Sequence, residues 1–222
     1  MTLLISCSQD EDALPEPMDN ETRVINYFKE IALGFEYGNL SHVTRKWTSD
    51  MRVFVSGAPS SELISELDRI IAEINDLATD GFQITVVNDS LQSNYHVFFG
   101  RGMDYAEIYP SLSNFVINNS GLFTVSTNSQ NQLTRGHMYV DIEREQLNGQ
   151  KHLLREELTQ SLGLAQDSYW YPDSIFQSEW TVVNEYTSID RELIRLLYHP
   201  DMTTGLDEDQ VDGVLREILN VE

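Results

Sequence analysis

Between Ser60 and Gly81 the chain carries its most restrictive pattern. Leu63, Ile64, Leu67, Ile70, Ile71, Ile74 and Leu77 recur at helical spacing and form one apolar stripe. Ser60 or Ser61 supplies an N-cap, and Asp80-Gly81 supplies the stop. A helix with a single apolar stripe has to bury it against a second layer. The flanking segments indicate what that layer is. HVTRKW (42–47), MRVFVSG (51–57), QITVVN (83–88) and NYHVFFG (94–100) are short and rich in β-branched and aromatic residues. They predict strands, so the helix packs on a sheet.

The rest of the chain extends this plan. Val24, Ile25, Phe28, Ile31, Ala32 and Phe35 predict a first helix, capped by Asn20 and stopped at Gly38. A short helix over Tyr105 to Phe115 is interrupted by Pro110. GLFTVST (121–127) and RGHMYVDI (135–142) read as an antiparallel pair. Helices follow at about 150–162, from a capping box of Thr187 and Asp190 to Tyr198, and from Asp207 with Gln210 onward. In the last of these, Val211, Val214, Leu215, Ile218 and Leu219 face inward. The expected fold is α+β: one domain over 20–222, with a mixed or antiparallel sheet, helices on one face and a C-terminal run of helices.

Charge narrows the partners. Fourteen Lys and Arg stand against thirty-six Asp and Glu, a formal net charge of −22. Such a surface repels phosphate backbones, so no nucleic-acid partner is expected. The single cysteine, Cys7, cannot form an intrachain disulfide. It ends Leu4-Ile5-Ser6-Cys7, which resembles a bacterial lipobox, and the acidic run Ser8 to Asp12 resembles the export tag of surface lipoproteins. The expectation is a truncated lipoprotein signal over 1–7 with lipidation at Cys7, and an acidic tether over 8–19. The location would be the cell envelope, as an outer-membrane lipoprotein that touches the membrane only through its lipid anchor. No segment approaches the roughly 20 apolar residues of a membrane span.

The stretch LREELTQSLGLAQDS (154–168) bears on chemistry. In a His-Glu-x-x-His helix, two imidazoles four residues apart reach one zinc ion and the intervening Glu acts as general base. On this chain the ligand positions hold Glu156 and Gln160, the base position Glu157, the turn glycine Gly163, and a third-ligand position Gln166 with Asp167 beyond it. The five histidines (His42, His96, His137, His152, His199) lie elsewhere, and no two are four apart. Conventional His-ligated zinc is therefore not expected. Glu156, Gln160 and Asp167 offer oxygen donors, which suit a hard divalent cation better. Without metal, Glu157 could serve as general acid or base, with Asp173 or Asp190 as a distant carboxyl partner. As a purely structural alternative, Arg155 or Arg195 pairs with Glu156 or Glu157. The aromatic loop holding Tyr169, Trp170, Tyr171 and Trp180 is expected to cover core, with stacking on a ligand as its alternative.

Arg155 to Gln160, Leu162-Gly163-Leu164 and Asp167, with the later Tyr186 to Asp190 and Leu196 to Pro200, resemble the signature of a bacterial family. It is the domain-of-unknown-function family numbered 2927, whose lipoproteins are grouped with zincin-like peptidases. The resemblance implies a zincin-like, metallopeptidase-like fold, with an edge strand at 135–142 running beside the 154–160 helix. It carries no established reaction. The functional expectation is an envelope protein that binds a peptide or glycan in a cleft holding Glu156, Gln160, Asp167 and Asp190. The alternative is a divergent hydrolase using Glu157.

Overall fold

The computed structural model describes residues 19–34 and 42–221. The expected lipidation site Cys7, the tether up to Met18, Phe35 and the expected stop at Gly38 lie outside them. In order, the elements are α1 (Asn20–Leu33), β1 (Lys46–Trp47), β2 (Met51–Gly57), α2 (Ser61–Leu77), β3 (Ile84–Val87), β4 (Tyr95–Gly100), α3 (Gly102–Ile108), β5 (Gly121–Thr127), β6 (Gln132–Asp141), α4 (Leu147–Gln160), α5 (Ser188–Leu197) and α6 (Glu208–Val221). α1 begins one residue earlier than expected, because the Asp19 carboxylate accepts from the Thr22 amide; it ends at Gly34, well before Gly38.

The sheet is mixed but mostly parallel. Its order is β1-β6-β4-β2-β3, all neighbours parallel, and β5 joins β6 antiparallel. Alternation sorts the strand residues onto two faces. Met51, Val53, Ile84, Tyr95, Val97, Phe99, Met138 and Val140 face the large core shared with α1, α2, α4, α5 and α6. The α2 stripe supplies Leu63, Leu67, Ile70, Ile71 and Ile74 to it, each worth about 1.5–3 kcal/mol when fully buried.

Helices were expected on one face only, and this needs correcting. α3 and the segment after it cover the other face, where Phe98, Tyr105, Ala106, Val116 and Tyr139 form a second cluster. His96 and His137, register partners on β4 and β6, sit beside it. His96 Nε2 meets Ser56 Oγ (2.6 Å) and its Nδ1 meets Tyr109 OH (2.8 Å); Tyr109 stacks on His137 with centroids 3.6 Å apart.

Burial, then the neighbouring His96, pushes the His137 pKa down to about 4; burial also lowers that of His96. The unfolded chain therefore binds the extra proton first. His137's contribution is complete above pH 6.5 and is lost as pH falls toward 4. Urea melts at pH 7.5 and pH 5 should show wild type losing about 1–2 kcal/mol more than His137→Gln, after discounting for partial exposure. Equal losses would contradict this.

Candidate functional site

The edge strand beside α4 is β5, not the 135–142 segment; β6 lies one place further in, flanked by β4 and β5. Among the described residues β5 pairs only with β6. Between β5 and α4 opens a cleft of about 600 Å3, lined by Asn118 to Val125 on one wall and Leu153, Glu156, Glu157 and Gln160 on the other. Gly121, Leu122, Phe123, Thr124 and Val125 are consecutive, yet all line it. Successive strand side chains point to opposite faces, so an unbroken run can line a cleft only when the strand presents its edge. Such an edge offers backbone N–H and C=O groups.

Four of the expected site residues stand here. Glu156, Glu157, Gln160 and Asp167 all border the cleft. They do not converge on one point. Gln160 Nε2 donates to Asp167 Oδ1 (2.6 Å), whereas Glu156 turns to His152, with Oε2 3.4 Å from Nε2. Among the described residues no three His, Cys, Asp or Glu side chains cluster tightly enough to hold a metal ion. Glu157 is nearly buried against β5. Gly121 makes that possible, since a Cβ there would sit 2.7 Å from Glu157 Oε1 and 2.8 Å from Leu153 Cδ2.

Asp190 is elsewhere. It is fully buried and accepts from Ser174 Oγ (2.5 Å), Thr187 N (2.8 Å) and Ile175 N (3.3 Å). Its capping-box role holds as expected, and those bonds consume the carboxylate that the cleft was to use. Burial raises its pKa. Gln166 also turns away: its side chain lies against Gly34, and its backbone N–H donates to the Ile31 carbonyl near the end of α1. Arg155 does not pair with Glu156 or Glu157. It reaches the other way, to Glu66 (3.0 Å) and Glu73 (3.0 Å) of α2, while Arg195 binds Glu192.

Glu145, Leu112 and Phe115, which carried no site expectation from the sequence, complete the walls together with Trp180 of the aromatic loop. Trp180, Trp170 and Tyr169 are exposed rather than covering core; Tyr171 packs edge-on to Tyr27, Trp170 stacks on the same ring, and Trp180 stands edge-on to His152. Among the described residues the lining holds four carboxylates and no Lys, Arg or His.

The family model described as "Protein of unknown function (DUF2927)" matches residues 21–217. The chain belongs to the DUF2927 family. The signature segment of this DUF2927 protein therefore supplies α4 and the helical wall of its cleft. A search of curated proteins returns no match. Among solved structures, "Structure of myroilysin" is similar at 12% identity and a TM-score of 0.44, over 69% of this chain and 95% of that one. No inference about function passes between the two at that level.

Proposed function

We propose that the β5–α4 cleft captures an extended polypeptide segment by strand addition, with the zincin-like domain acting as a binding module. The observation that carries this reading is the unbroken lining by β5 residues 121–125, which turns the strand's edge toward the space. Edge backbone groups supply affinity without regard to sequence, and pockets along the groove select alternate side chains. Leu122, Phe123, Trp180 and Phe115 provide apolar surface, and the four carboxylates disfavour acidic segments.

A decapeptide selected from a random display library tests the mode of binding. Methylating the backbone nitrogens that pair with β5 should weaken the peptide by about tenfold or more, roughly 1.4 kcal/mol per tenfold. Methylating the alternate nitrogens should leave it unchanged. Equal loss at both sets would contradict strand addition. Cleavage of the bound peptide, abolished by Glu157→Gln, would instead favour a hydrolase with Glu157 as general base.

We place this module at the cell envelope on the strength of the Leu4 to Cys7 lipobox and the acidic run behind it. Labelling with an alkynyl fatty acid should mark the wild-type protein but not Cys7→Ser; equal labelling would exclude the anchor.

A further inference from the structure

We propose that Glu145 and Trp180 form a subsite for an arginine side chain of the bound segment, an assignment that rests on reading the β5–α4 cleft as a peptide groove. Both side chains line that cleft. Glu145 lies in the turn between β6 and α4, and Trp180 belongs to the aromatic loop. Gly149, in the first turn of α4, lets them converge. A Cβ there would stand 3.0 Å from Glu145 Oε2 and 3.4 Å from Trp180 Cζ2. The carboxylate and the indole edge thus meet over the same bare stretch of helix backbone.

Each of the two is held from behind. Glu145 Oε1 accepts from Ser120 Oγ (3.1 Å), at the approach to β5. Trp180 stands edge-on to His152, with ring centroids 5.4 Å apart and planes at 89°, and His152 Nδ1 in turn donates to the Val183 carbonyl (2.6 Å). Even so, Trp180 is 58% exposed. A positioned indole with open surface beside a carboxylate matches a flat, delocalised cation. The guanidinium lies on the ring face, and its N–H fork meets the carboxylate. An ammonium group would bring the charge without the fork or the stack.

Charge complementarity favours the same partner. The fourteen Lys and Arg of the chain all lie within the described residues, and none of them lines the cleft. Glu156, Glu157 and Asp167 line the same space as Glu145, so a cation entering it approaches four carboxylates and no like charge from Lys or Arg.

Decapeptides that the full chain retains from the random display library should be enriched in arginine at one fixed position. Exchanging that arginine for citrulline keeps the shape and removes the charge, and should weaken the peptide by about fivefold or more. Glu145→Gln should bind the arginine and citrulline forms alike, and Trp180→Leu should narrow the gap between them. Glu143→Gln, an exposed neighbour outside the cleft lining, should leave the ratio unchanged, which separates the subsite from net charge. Each protein is scored by the ratio of two peptides, so a general loss of affinity in one variant does not mimic the result. Absence of arginine enrichment, equal binding of both forms by wild type, or an undiminished ratio in Glu145→Gln would overturn the subsite. Arginine discrimination without the alternating effect of backbone methylation would keep the subsite and remove strand addition. The alternating effect without arginine discrimination would remove the subsite alone.

Discussion

Replacing Arg155 by Ala is expected to destabilise the protein by about 3–5 kcal/mol, read from urea midpoints at unchanged slope. Arg155 is the largest fully buried charge in the core. Its two terminal nitrogens reach carboxylates on α2, Glu66 and Glu73, each at 3.0 Å, and its guanidinium lies 4.3 Å from the centre of the Tyr186 ring. Tyr186 in turn shares a 2.6 Å bond with Thr159 Oγ1, one turn further along α4. Removing the guanidinium strands Glu66, itself nearly buried, with only Arg69 to balance it. Lysine should not rescue, because one ammonium cannot supply the planar fork that spans two carboxylates. A loss below about 1 kcal/mol would show that the pair is solvated when the protein breathes, and that α2 and α4 are held by apolar contact alone.

Gly163→Ala should cost a comparable amount, at least about 3 kcal/mol. Gly163 follows α4 with φ at +113°, a region L side chains avoid. A Cβ there would also overlap the Arg45 carbonyl oxygen, far inside van der Waals contact, just ahead of β1. That obstacle is backbone and has no rotamer to escape into. Gly81 separates the two causes. Its φ is +93° but a Cβ there meets nothing within 4 Å, so Gly81→Ala should show the dihedral strain alone, about 1 kcal/mol. If the two substitutions cost the same, close packing of β1 on the end of α4 is not what Gly163 provides.

Local pattern made much of this legible. The α2 stripe, the capping boxes opening α5 and α6, and the β5–β6 pair all announce themselves within a dozen residues. The signature segment likewise announced a helix, and Glu156, Glu157, Gln160 and Asp167 do border one cleft. What periodicity does not carry is who sits next to whom. β6 reads as an edge strand by itself; it becomes interior only because β4 pairs with it from 41 positions upstream, as Tyr95 faces Gly136. Asp190 reads as an available acid until Ser174 and Ile175 arrive from another loop to occupy it.

The position of β6 bears on how the chain assembles. It is the last strand in sequence, yet β1, β4 and β5 all register against it. Until Asp141 has left the ribosome, the earlier strands β1 and β5 have no partner in the sheet, and β4 carries an open flank. Closing that gap joins Lys46 to Gln132, a long loop whose entropic cost falls due before any reward. The nascent polypeptide thus spends its synthesis with unsatisfied β-edges, and its dependence on chaperones should be concentrated in that interval.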